Sequence, residues 1–161
     1  MDITRRLFCL GSVAALGACG FTPVYGPGGG GAALQNALLV DAPNSRDGFL
    51  LVQGIEERLG RGSPATYGLS HAITVTEEAI AIDANDVTTR YNLLGEITYA
   101  LRNLDTGAVI TSGKVSNFTG YSASGSTVAT QAAERDARTR LMAILADQII
   151  TRLVVAVPTV S

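Results

Sequence analysis

Side chains able to do acid–base, nucleophilic or metal chemistry are few here, and their spacing works against all three. His71 is the single histidine. Leu69, His71, Ile73 and Val75 alternate with Ser70, Ala72, Thr74 and Thr76, so a period of two puts the imidazole on the apolar face of a strand. A packed, hydrogen-bonded histidine is expected there rather than a general base. Glu77 and Glu78 are neighbours, which on a strand sends them to opposite faces and prevents a shared acid–base role. Ser122, Ser124 and Ser126 lie in a small-residue stretch with no base beside them. With one histidine, and both cysteines committed elsewhere, only scattered carboxylates are left to a metal. The expectation is no catalytic residue, no metal and no cofactor, hence a binding protein rather than an enzyme.

Cys19 is the exception, because its surroundings suit covalent modification. Arg5 and Arg6 precede a short, mostly apolar stretch over residues 7–17, and small residues stand directly before the thiol. The stretch is about half of the ~20 residues that a membrane-crossing helix needs. It reads as a cleaved export signal. Leu16-Gly17-Ala18-Cys19 resembles the lipobox of bacterial lipoprotein precursors. That resemblance implies diacylglycerol on the Cys19 thiol, cleavage before it, and a further acyl chain such as palmitate on the new amino group. Thr4-Arg5-Arg6-Leu7-Phe8 also resembles a twin-arginine motif, so the general secretory and twin-arginine routes both fit. Cys9 leaves with the signal, and no thiol remains for a disulfide.

Three regions follow: a signal peptide over 1–18, an acylated cysteine with a Gly-rich tether over 19–33, and one domain over 34–161. The tether, with four glycines at 28–31, is a flexible coil spanning about 20 Å. Those glycines lack the Lys-Ser/Thr that a phosphate-binding loop places after them. Twelve basic against fourteen acidic side chains, with no basic run, gives no footprint for nucleic acid. Only 16% of residues are charged while 47% are hydrophobic, which suits a domain partly covered by a partner.

The domain itself reads β-α-β-β-β-α. Residues 37–40 form a short strand closed by Asp41 and Pro43. Asn44, Ser45 and Asp47 offer N-cap chemistry to a helix ending near Gly60 or Gly62, with Leu51, Val52, Ile55 and Leu59 on one side. A strand over 69–76 is either extended by 79–82 past a bulge at Glu77-Glu78 or followed there by another element. The clearest strand covers 88–101, with Tyr91, Leu93, Ile97, Tyr99 and Leu101 on the face of Gly95. Asn103-Leu104-Asp105-Thr106-Gly107 supplies turn chemistry, and 108–118 returns antiparallel. Residues 120–126 form a loop. A long helix over 127–155 carries the stripe Ala133, Ala137, Leu141, Ile144/Leu145, Ile149 and Leu153, and Pro158 ends it. Glu134→Arg138 and Asp136→Arg140 are i,i+4 pairs on its solvated side. The fold class is α+β: a small, mostly antiparallel or mixed four-stranded sheet with two helices on one face.

Cys19-Gly20-Phe21-Thr22-Pro23-Val24-Tyr25, Thr89-Arg90-Tyr91-Asn92-Leu93 and the helix end from Arg140-Leu141 to Leu153 together resemble the LPS-assembly lipoprotein family LptE (RlpB-like) over nearly the whole chain. The family's fold is two helices against a four-stranded sheet, in agreement with the independent reading. The resemblance implies an outer-membrane lipoprotein, lipid-anchored at the periplasmic face. Its partner is the LptD β-barrel, whose lumen it plugs and whose assembly it assists as lipopolysaccharide moves to the outer leaflet. Gly20 after the cysteine resembles outer-membrane sorting. Lipopolysaccharide binding by basic residues near one sheet end is implied too, with Arg90 matching first and Lys114, the single lysine, second. The alternative is an auxiliary envelope lipoprotein of a lipid-transport ABC system.

Overall fold

The computed structural model describes residues 29–82 and 87–157. The signal segment, Cys19, the tether up to residue 28 and Pro158 lie outside the described residues. The order is α1 (Gly30–Leu34), β1 (Leu38–Val40), α2 (Arg46–Leu59), β2 (Tyr67–Ile82), β3 (Thr88–Asn103), β4 (Val109–Ser122) and α3 (Thr127–Ala156). The strands form one mixed sheet in the order β1-β2-β3-β4, with β1 parallel to β2 and the other pairs antiparallel. The α+β class is as read, with one helix more. α1 takes the end of the Gly-rich stretch out of free chain, because Gly30 and Gly31 are buried against the last turn of α3. A Cβ on Gly30 would stand 2.1 Å from the Val154 carbonyl oxygen, so only glycine permits this approach.

Local chemistry explains the boundaries. Ser45 caps α2, its Oγ accepting the Gly48 N–H at 3.0 Å, and Gly60 at φ 72° closes the helix. The β3–β4 turn is held by Asn103 Oδ1, which accepts the N–H groups of Asp105 and Thr106 at 2.9 Å, with Gly107 at φ 73°. β2 is a single strand through Ile82. Its register shifts at Ala79/Ala81 and Ala81/Ile82, not at the two glutamates.

Odd-numbered residues of β2, β3 and β4 face the helices. Leu69, Leu93, Ile97, Leu101 and Val115 are fully or almost fully buried on that face, and Gly95 is where α3 comes closest. A Cβ there would meet Leu145 Cδ1 at 2.8 Å and Leu141 Cδ2 at 3.0 Å. α3 lies against β3, β4 and α2 together. It therefore buries two neighbouring lines, adding Met142, Ala146, Ile150 and Val154 to the single stripe expected, while Ile144 is 36% exposed. At the buried heart of this contact, Thr119 Oγ1 donates to the Ala137 carbonyl at 3.0 Å. Among the described residues no helix is long and apolar enough to cross a membrane.

Candidate functional site

The helices occupy one face of the sheet, so among the described residues the even-numbered face is bare. It carries mostly small and hydroxyl side chains, among them Ser70, Thr74, Thr76, Thr98, Ser112 and Ser116. A depression of about 580 Å³ lies on it, lined by Thr74, Thr76, Leu94, Glu96, Ser116 and Phe118. Phe118 is 61% exposed there. Lys114 and Glu96 pair across the two strands at 2.6 Å, so the middle of the face is close to neutral. A second depression, about 610 Å³, runs between β1 and α2 along Val40, Pro43, Phe49, Val52, Glu56 and Arg61.

Arg90 and Lys114 share the bare face but not a site. Arg90 lies opposite Ser122 and Lys114 opposite Thr98, eight residues apart along β3 and so roughly 25 Å distant. Lys114 is occupied by Glu96, whereas Arg90 is exposed and forms no ion pair among the described residues. Arg90 stands near the far end of the sheet beside the exposed Ile80 and Ile82. Cys19 is outside the described residues.

The remaining candidates are structural in their contacts. His71 is half-buried opposite Tyr99, and burial holds its pKa below the ordinary histidine value, with Asp41 pulling weakly upward. Contrary to expectation its Nδ1 has no hydrogen-bond partner among the described residues. Glu77 accepts the Tyr121 hydroxyl at 3.0 Å, and the Tyr121 ring stacks on Tyr91 with centroids 5.4 Å apart. Burial first, and this bond second, push the Tyr121 phenol above the usual tyrosine range. Tyr121 thus belongs to the end of β4 and not to a loop. Arg138 is not simply on a solvated side, since it bonds Glu134 in α3 and Asp47 in α2. Those bonds outweigh burial and raise its pKa. No group of three or more His, Cys, Asp or Glu among the described residues could hold a metal.

The sheet edges, which sequence reading did not address, differ sharply. On β4, Arg152 donates to the Lys114 carbonyl at 2.7 Å and Arg140 to the Gly120 carbonyl at 3.3 Å. The Phe118 N–H is taken by the Asn117 side chain at 2.8 Å. These three contacts engage the outward Lys114 and Gly120 carbonyls and the outward Phe118 N–H of that edge. Arg140 and Arg152 are twelve residues apart on α3, a spacing that signals nothing until the helix is laid along the strand.

The LptE family model, described as lipopolysaccharide-assembly, matches residues 35–153. A comparison with curated proteins finds no match. Among solved structures, a Caulobacter crescentus CB15 protein assigned as a lipoprotein is similar at 25% identity. The match covers 78% of this chain and 93% of that one, with a TM-score of 0.66. The rare lipoprotein B from Shewanella oneidensis is 11% identical over 73% of this chain and 91% of its own, TM-score 0.53. A minor lipoprotein from Acinetobacter baumannii is 16% identical over 77% and 93%, also at 0.53. These last two share the fold.

Proposed function

We propose, from the premise that the chain belongs to the LptE family of lipopolysaccharide-assembly proteins, that it partners an LptD-type outer-membrane β-barrel. In this reading it is acylated at Cys19, held at the periplasmic face of the outer membrane, and acts as plug and assembly factor for the barrel without catalysing a reaction. The family match across the two-layer domain carries the reading. The bare face supports it: hydroxyl and small side chains, an internally neutralised Lys114–Glu96 pair and few net charges suit a surface covered by barrel wall.

Lipopolysaccharide contact is assigned to Arg90 first. Its free guanidinium can offer two donors to a lipid A phosphate. Lys114 would have to leave Glu96 to do the same.

The test is to extract outer membranes in detergent from cells carrying a C-terminally tagged copy and to identify what co-purifies. A stoichiometric β-barrel of the lipopolysaccharide-export type is the expected result. Recovery with an inner-membrane transporter would favour the ABC-system alternative and end the plug reading, as would recovery alone.

A further inference from the structure

We infer that the free edge of β2 is a self-pairing edge, joining two copies of this chain through antiparallel strands around Thr74. The direction of the backbone groups fixes which residues take part. In an antiparallel pair a residue's N–H and C=O point the same way and alternate along the strand. Leu69 accepts the Asp41 N–H from the β1 side at 2.9 Å, while Thr66 accepts the Leu104 N–H from the β3 side at 2.9 Å. The backbone N–H and C=O groups of odd-numbered β2 residues therefore point away from β3, while their side chains face the helices. β1 reaches only Tyr67, Gly68 and Leu69. From His71 to Glu77 the outward donors and acceptors of His71, Ile73, Val75 and Glu77 meet no backbone partner among the described residues.

Several observations select the occupant. Backbone groups in this spacing ask for an extended strand. This stretch has no Lys, Arg or Pro, and its one carboxylate, Glu77, is drawn inward to the Tyr121 hydroxyl. The opposite edge, on β4, is interrupted by side chains at Lys114, Phe118 and Gly120, whose outward groups meet Arg152, Asn117 and Arg140. The register shift beginning at Ala79 ends the regular edge just beyond Glu77. Within that window a two-fold pairing centred on Thr74 sets His71 of each copy against Glu77 of the other, and Ile73 against Val75. The one cation-capable side chain of the segment then faces an acid, and the two half-buried apolar residues cover each other. Glu77 gives one oxygen to Tyr121, which leaves Oε1 for the second copy. No sliding of the register by two or four residues keeps both matches.

This inference goes beyond the barrel partnership and does not rest on it: the pairing is that of the chain outside a barrel, and a barrel wall around the domain would compete with it. The mass of the purified full chain in detergent, followed by sedimentation from low to high micromolar concentration, is the first readout. It should rise toward twice the monomer value. Thr74→Cys provides the second, since Thr74 opposes itself in a non-hydrogen-bonded pair with Cα atoms about 4.5 Å apart, within disulfide reach. Oxidation should give a covalent dimer well above the parent chain's level, whereas Thr76→Cys and Ser116→Cys should not. His71→Glu should abolish the dimer, and the swap His71→Glu/Glu77→His should restore it. A chain monomeric at every concentration with no Thr74→Cys product overturns the inference. So does equal cross-linking through Ser116→Cys, or a His71→Glu chain that loses the barrel rather than the dimer.

Discussion

Arg138, in the first half of α3, reaches across the helix layer to Asp47 in the first turn of α2, with Nη1 3.0 Å from Oδ2. Asp47 already favours the N-terminal end of its own helix, where a negative charge is stabilised by the helix dipole. Glu134 holds the same guanidinium through Nε at 2.9 Å. The triad ties the packing angle of the two helices to one side chain. Arg138→Ala is expected to lower stability by about 1–3 kcal/mol, since it leaves two half-buried carboxylates without their donor. A urea-unfolding cycle with Asp47→Asn should return a coupling of at least ~0.5 kcal/mol, while additive effects would mean the contact is not formed in solution.

Gly95 sets how close α3 lies to the sheet. Gly95→Val should cost about 1–3 kcal/mol by overpacking against Leu141 and Leu145. Combining it with Leu145→Ala should cost less than the sum of the two, because the shortened side chain makes room. Thermal unfolding of the three variants decides this.

His71 predicts the direction of one pH effect. Its folded-state pKa is below the ordinary value, so below about pH 6.5 the unfolded chain binds more protons at this site than the folded one. Stability should therefore fall as pH drops through that value, and His71 should contribute nothing to the pH dependence well above it. The difference in melting temperature between the parent and His71→Gln, measured from pH 8 to pH 5, isolates this residue from the carboxylates. A difference that does not change with pH would contradict the burial of the ring.

Arg90 and Lys114 should separate in a lipopolysaccharide-binding assay. A lost charge-assisted contact is worth about 1.5–3 kcal/mol, so Arg90→Ala should weaken binding roughly tenfold or more. Lys114→Ala should have a smaller effect because Glu96 already holds the ammonium. Equal losses at both positions would indicate general charge attraction in place of a site.

Cys19→Ser should move the protein from the membrane pellet to the soluble envelope fraction, and mass spectrometry of the parent should show acyl chains on its first residue. An unmodified Cys19 would remove the anchor from the proposed function.

Elements with strong periodicity were legible in the sequence: β3 from its alternation, α2 from Ser45 and Gly60, the turn from Asn103 and Gly107. What was hidden depends on tertiary neighbours. The second buried line of α3 arises because the helix is covered from two directions, and a single stripe is all that one-sided packing would require. α1 consists of glycine, alanine and leucine and has no helical signal of its own; contact with the last turn of α3 makes it helical. For the candidate site, sequence reading placed Arg90 and Lys114 on strands but could not give the distance between them, which is a matter of register. The Glu96 pairing and the arginine contacts to the β4 edge were invisible for the same reason.

The contact of Gly30 with Val154 and Val157 has a consequence for reach. It fixes the point at which the chain joins the domain at the end of α3, beside the Tyr67↔Asn103 end of the β2–β3 pair. The opposite end of that pair, at Ile82↔Thr88, is fifteen residues further along, roughly 45–50 Å. The domain's entry point and Arg90 thus stand at opposite ends of its long axis. A lipid holding residue 19 would put the anchor at one pole and Arg90 with the exposed isoleucines at the other, separated by the strand length.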